Sequence, residues 1–295
     1  YPRVVEAGEP GAVARPASGW VDLDGPVHFV DHGGPRDAPL LVCVHGLTRS
    51  GRDFDFLAQQ LARHYRVVCP DVVGRGRSDW LPDAANYGVP QYVGDMVTLI
   101  ARLGVEQVHW FGTSMGGLIG MALAALPQSP ITRMVLNDVG PVVTSVSLRR
   151  IAEYVGKAPK FASLDDADRY IRAVSAPFGP LTDAQWRHLT VHSTRPMPDG
   201  GFEMGYDPDI AKPMQAMLFL GDIELWNLYE AIRCPTLCVR GAESDLLTRD
   251  TLAQMAARGP KARTLEIVGV GHAPMFMDSA QTAPIEQFLT EGLAA

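Results

Sequence analysis

The stretch Val108-His-Trp-Phe-Gly112-Thr-Ser114-Met-Gly116-Gly-Leu118 decides how this chain is read. A short strand-like run leads into Gly-Thr-Ser-Met-Gly, and a small-residue helical stretch, Gly117 to Ala125, follows at once. G-x-S-x-G between a strand and a helix is a nucleophile elbow, the turn that exposes a serine Oγ at the tip of a sheet. The requirement is steric. The serine backbone is strained and neighbouring chain passes too close for a Cβ, which calls for glycine two positions before and two after. Ser114 then stands at a helix N-terminus, whose free N–H groups and dipole favour negative charge. A glycine-punctuated turn is the plain alternative, and the flanking strand and helix argue against it.

Working outward, the apolar runs Pro39–Gly46, Tyr65–Asp71 and Ile131–Asp138 have the character of strands buried on both faces. Between them, Phe54, Leu57 and Leu61, then Tyr92, Met96, Leu99 and Leu103, recur at helical spacing. Strand-like runs at Trp20–Leu23 and Val27–Asp31, joined by Gly25-Pro26, predict a hairpin ahead of them. The alternation resumes with Cys234–Gly241, a helix around Leu252 and Met255, the strand Thr264–Val268 and a last helix around Ile285, Phe288 and Leu289. Alternating buried strands and helices imply α/β architecture, a mostly parallel sheet with helices on both faces. From about Val142 to Tyr229 the pattern changes to helix after helix. Ser163-Leu-Asp-Asp166 opens one, Thr182-Asp-Ala-Gln185 reads as a capping box for another, and the proline-rich Pro196–Pro213 reads as a loop or short hairpin. The expected organisation is a loosely held arm over 1–18, a core of 19–141 and 230–295, and a helical cap over 142–229. Large apolar side chains in the cap build its own small core. Phe178, Trp186, Met217, Phe219 and Trp226 are candidates to line an apolar pocket over Ser114.

A serine hydroxyl needs a base, usually a histidine oriented by a carboxylate. His272, in the glycine-rich loop Val268-Gly-Val-Gly-His-Ala-Pro past the last strand, is the best placed of the eight histidines. His45, before Gly46, is expected to shape its loop. His188 and His192 have the i, i+4 spacing of a metal pair, but no third ligand accompanies them in sequence. His28, His32, His64 and His109 show no partner. Loops at the carboxyl ends of parallel strands gather over one crevice, so Asp245, after the strand Thr236–Arg240, is the expected carboxylate. Glu243 and Asp138 are the alternatives. Two backbone donors should hold an oxyanion: the N–H of Met115, directly after the serine, and that of Leu47, after His45-Gly46. The run Gly74-Arg-Gly76-Arg-Ser78-Asp79 lacks the lysine and helix of a phosphate loop and reads as structural.

Acidic residues outnumber basic ones by 33 to 26, giving a net charge of −7 with no basic block, which argues against nucleic acid as a partner. No apolar run approaches the roughly 18 residues of a membrane span. Cys43, Cys69, Cys234 and Cys238 sit in or beside apolar runs without C-x-x-C spacing, as buried small hydrophobes suited to a reducing compartment. A cytoplasmic location is therefore expected, although a start at Tyr1 rather than Met leaves room for a removed leader.

Taken together, the His45-Gly46 loop, Asp71 with Gly74-Arg-Gly76-Arg-Ser78, the Gly112–Gly116 elbow, Asp245 and Gly271-His272 resemble the α/β-hydrolase fold family over roughly residues 20–295. The resemblance implies an eight-stranded, mostly parallel sheet with a helical cap inserted after the sixth strand. It also implies Ser114 as nucleophile, His272 as base, Asp245 as its orienter, and Leu47 and Met115 as oxyanion donors. The expected activity is that of a cofactor-independent serine carboxylesterase acting on small or medium acyl esters. A lactonase and a hydrolase of C–C bonds in ring-cleavage products are alternatives on the same scaffold. Ala273-Pro274 after the histidine, where the C–C hydrolases usually have Trp, counts against the latter. A ligand receptor is the alternative outside enzymes.

Overall fold

In the computed structural model, which describes residues 16–22, 25–219 and 221–293, eight strands form one sheet. They are β1 (Ala17–Asp22), β2 (Pro26–Asp31), β3 (Leu40–Val44), β4 (Arg66–Pro70), β5 (Val108–Thr113), β6 (Ile131–Asn137), β7 (Thr236–Gly241) and β8 (Arg263–Ile267). Their spatial order is β1-β2-β4-β3-β5-β6-β7-β8. β1 pairs antiparallel with β2 and β2 with β4, while every later pairing is parallel. The fold is thus the eight-stranded, mostly parallel α/β architecture that the alternating pattern predicts. Most of the expected arm, residues 1–15, and Leu23 at the end of the first predicted strand lie outside the described residues.

Helices cover both faces. α1 (Asp55–Leu61), α2 (Val89–Arg102) and α3 (Met115–Ala124) precede β6, and the chain between β6 and β7 contributes α4 (Ser145–Ala152), α5 (Leu164–Val174), α6 (Asp183–Ser193), α7 (Ala211–Met217) and α8 (Trp226–Ala231). α9 (Arg249–Ala257) and α10 (Ser279–Thr290) complete the set. Among the described residues, no strand between β6 and β7 joins the large sheet. The capping box predicted at Thr182 forms, and the helix start at Ser163 proves to be a capping box as well, with Gln185 and Asp166 accepting from the cap backbone N–H groups. The proline-rich stretch supplies a small hairpin, Thr194–Pro196 against Phe202–Met204, before turning into α7.

The central strands are apolar because both faces are covered. β3 and β7 are buried along their whole length. Trp110 on β5 is fully buried beneath α3, its Nε1–H donating to the Gly116 carbonyl at 3.1 Å. The indole leaves no room for a side chain on the helix: a Cβ at Gly120 would lie 2.3 Å from Nε1. α3 therefore packs close on the sheet, and that closeness sets the height of the elbow. All four cysteines are free, three of them buried, and burial pushes the Cys238 thiol up to about 12. Among the described residues no helix is long and apolar enough to cross a membrane.

Candidate active site

Ser114 occupies the turn between β5 and α3 with φ 51° and ψ −115°, a left-handed conformation costing a non-glycine residue about 1–3 kcal/mol. The two glycines are needed for the reason the motif suggests. A Cβ at Gly112 would lie 2.3 Å from the Gly116 carbonyl oxygen, and one at Gly116 would lie 2.0 Å from that of Val44. The turn is braced by the Ser114 N–H, which donates to the Asn137 carbonyl at 3.0 Å.

His272 follows β8 and faces the elbow, with Nε2 2.9 Å from Ser114 Oγ. Its loop is fixed from two sides. The fully buried Asn137 amide donates to the Pro274 carbonyl (2.9 Å) and to Thr113 Oγ1 (3.0 Å), tying the loop to β5. The Gly271 N–H donates to the Pro177 carbonyl at 2.7 Å, a contact from the insertion between β6 and β7.

The carboxylate facing His272 is Asp138, not Asp245. Asp138 Oδ2 lies 2.7 Å from His272 Nδ1 and accepts the Ser244 hydroxyl at 2.6 Å, while Oδ1 accepts the Gly241 N–H at 2.8 Å. Asp138 has no exposed surface, and its own N–H continues the sheet ladder to Val239 at 2.8 Å. With Nδ1–H donating to this carboxylate, the Nε2 lone pair faces the serine hydroxyl. Asp245, expected in this place from sequence, instead forms an ion pair with Arg150 and is half exposed. The reason lies in the turn after β7, where the side chain directed inward is that of Ser244, and Glu243 and Asp245 on either side point outward. The order serine, acid, histidine is satisfied by either aspartate, so order alone does not choose between them.

Two backbone N–H groups are aimed by the carbonyls of their own peptide units, because N–H and C=O point in opposite directions across a trans peptide. The Ser114 carbonyl accepts from the Gly117 and Leu118 N–H groups at 2.8 and 3.1 Å, so the Met115 N–H faces away from the helix. The Gly46 carbonyl accepts from His45 Nδ1–H at 2.7 Å and from the Arg49 N–H at 3.2 Å, which turns the Leu47 N–H the other way. His45 is locked in that tautomer because its Nε2 accepts the Val72 N–H at 2.9 Å. Burial, chiefly, lowers its pKa, with the nearby Arg75 adding to the effect and Asp71 opposing it. It shapes the loop, as its place before Gly46 suggests.

The run around Gly74 is structural too, but it carries a group the sequence did not single out. Arg75 is fully buried behind this loop, donating to the Leu47 carbonyl (2.8 Å), the Val73 carbonyl (2.8 Å) and the Tyr92 hydroxyl (2.9 Å). Its guanidinium also lies 3.6 Å from the Met115 sulfur. A positive charge thus stands behind both chain segments that present the two N–H groups.

Two cavities meet at Ser114. One, of about 90 Å³, is lined by His272, Arg49, Asp53, Arg150 and the rings of Tyr154, Tyr170, Tyr206 and Phe178. The other, of about 140 Å³, is lined by Met115, Leu118, Val139, Val143, Leu148, Met214 and Met217, and lacks His272. Of the five apolar side chains expected to line a pocket, Phe178 and Met217 do so. Trp186 is buried behind Phe178, Phe219 is 91% exposed, and Trp226 packs against Tyr229 and beneath Arg258. Sequence spacing gives no depth for a side chain in a segment with so little regular periodicity.

Of the histidines without a visible partner in sequence, His32 is buried with Nε2 3.6 Å from Asp55, and three others have closer partners. His28 Nδ1 lies 2.7 Å from the buried Asp71, His64 Nε2 lies 2.9 Å from Glu286, and His109 meets the Tyr65 hydroxyl at 2.8 Å. His188 and His192 gain a third candidate ligand in Asp55, with the donor atoms of all three within 4.8 Å of one another. Both Asp55 oxygens already accept hydrogen bonds from Arg52.

This sheet, elbow and histidine loop define the α/β-hydrolase class, and the chain belongs to the α/β hydrolase fold family, whose model matches residues 39–278. It is a hydrolase. Among its relatives is a 3-hydroxybutyrate-oligomer hydrolase of Cupriavidus necator, 49% identical over 94% of this chain and 99% of that protein. An N-formylmaleamate deformylase of Pseudomonas putida is 24% identical over 83% of this chain and 85% of its own. The crystal structure of an α/β hydrolase from Novosphingobium aromaticivorans superposes with a TM-score of 0.84 at 34% identity, covering 94% of this chain and 99% of that one.

Proposed function

We propose that this chain is a serine esterase that cleaves short esters of hydroxy acids, 3-hydroxybutyrate oligomers among them, through an acyl-enzyme on Ser114. The reading rests on one observation above all: Ser114 Oγ, His272 and the buried Asp138 lie in hydrogen-bond succession, at 2.9 and 2.7 Å, where two cavities meet. The similarity to the Cupriavidus necator enzyme over nearly its whole length supports the choice of substrate.

In this mechanism His272 Nε2 takes the Ser114 proton as Oγ attacks the ester carbonyl, and Asp138 stabilises the resulting imidazolium. The Met115 and Leu47 N–H groups receive the oxyanion. The tetrahedral intermediate collapses as the bond to the alcohol oxygen breaks and that oxygen takes the proton from His272. Water, activated by the same imidazole, then cleaves the acyl-enzyme. The insertion between β6 and β7 acts as the cap over this site, supplying Arg150, Tyr154, Tyr170 and Phe178 to its walls.

The direct test is Ser114→Ala assayed on the 3-hydroxybutyrate dimer and on p-nitrophenyl butyrate. A loss of about 10⁴-fold or more in kcat is expected on both, and undiminished turnover of either would refute the assignment.

A further inference from the structure

The two cavities flanking Ser114 differ in what lines them, and the difference assigns the two halves of an ester. His272 must hand its proton to the departing alcohol oxygen, so the alcohol fragment has to lie on the side that His272 lines. That side is the more polar cavity, and the cavity without His272 is walled mostly by aliphatic and methionine side chains suited to an acyl chain, with Tyr87 and Tyr92 beside them. In an ester of two hydroxy acids, the alcohol fragment is the one that carries the free carboxylate.

Two guanidinium groups line the polar cavity. Arg49 is committed: Nε and Nη2 both bond Asp53, at 2.8 and 2.6 Å, and the two side chains are only 11% and 9% exposed. Breaking that pair would strand a buried charge. Arg150, on α4, pairs with Asp245 through Nε and Nη2, but here the side chains are 33% and 48% exposed. An exposed pair of this kind contributes little, so a competing carboxylate can displace it. A guanidinium also has five N–H donors, more than one carboxylate uses.

From this we infer that Arg150 binds the terminal carboxylate of the substrate's alcohol fragment, exchanging Asp245 for it. Asp245, which does not itself line the cavity, competes with the substrate carboxylate for the same guanidinium. The enzyme therefore works from the carboxyl end of an oligomer, releasing the fragment that bears the free acid. The inference rests on the proposed ester hydrolysis at Ser114 and adds the charge requirement and the direction.

The test compares the 3-hydroxybutyrate dimer as its free acid with the same dimer as its primary carboxamide, which keeps the shape and removes the charge. The native enzyme should favour the acid by about tenfold or more in kcat/KM, the difference lying in KM. Arg150→Gln should bring that ratio toward one, and Arg150→Lys should restore part of it. Asp245→Asn should do the opposite of Arg150→Gln, lowering KM for the acid severalfold because the guanidinium is left without its competitor. A strut that merely held α4 in place would make both substitutions harmful alike. Equal turnover of acid and carboxamide, a ratio unmoved by Arg150→Gln, or parallel losses in both variants would overturn the subsite and leave Ser114 chemistry standing. Failure to cleave either dimer alongside normal turnover of p-nitrophenyl butyrate would overturn the hydroxy-acid reading and this inference with it.

Discussion

The loops after β6 and β7 each carry an aspartate near the carboxyl edge of the sheet, and the two have different surroundings. Asp138 is sealed from solvent and held by a backbone N–H, a serine hydroxyl and an imidazole. Asp245 is half exposed and pairs with Arg150, a partly exposed cation from the insertion. Adjacent loops over one crevice therefore offer a carboxylate fixed in a single geometry and another free to exchange partners. Rigidity suits a group that must hold an imidazole in one tautomer. Exchangeability suits a group that yields its partner to a ligand.

Substitutions put this contrast to the test. The largest effect is expected at Asp138→Asn, which keeps the shape but allows the wrong imidazole tautomer; kcat on p-nitrophenyl butyrate should fall by about 10⁴-fold. A loss under tenfold would mean that the carboxylate of the β6 loop does not serve His272. Ser244→Ala comes next, because it removes one of the donors to a buried charge. Denaturant unfolding should show about 1–3 kcal/mol of lost stability, with kcat reduced far less than by Asp138→Asn. Asp245→Asn should cost less than about 1 kcal/mol in the same measurement, as exposed ion pairs do. The smallest expected signal is the coupling between Arg150 and Asp245 in a double-mutant cycle on stability, about 0.2–1 kcal/mol. A coupling of several kcal/mol would show that the two loops hold their aspartates with similar firmness and would remove the distinction.

Much of the architecture was legible because periodicity reports burial. The apolar runs became β3, β4, β6 and β7, the capping box at Thr182 appears where its spacing places it, and a helix opens at Ser163 as expected. The elbow was legible for a stronger reason: Gly112 and Gly116 are imposed by backbone contacts closer than any Cβ allows. The acid partner was not. Both aspartates follow a strand, and the choice between them depends on which side chain of Ala242-Glu-Ser-Asp245 turns inward, a matter of a single turn's geometry. Nor is the place of Arg75 legible, because a lone arginine in a glycine-rich run carries no sign of burial. It lies beneath the loop that follows His45, among acceptors on Leu47, Val73 and Tyr92.

The hydrogen bond from the Gly271 N–H to the Pro177 carbonyl bears on engineering the specificity of such an enzyme. Exchanging the whole segment between β6 and β7 for one from a relative would replace more than the walls of the cavity, because the backbone next to His272 is moored to that segment. A chimera that retains residues 176–178 should keep its chemistry while its selectivity changes. One that discards them would have to find another anchor for the His272 loop.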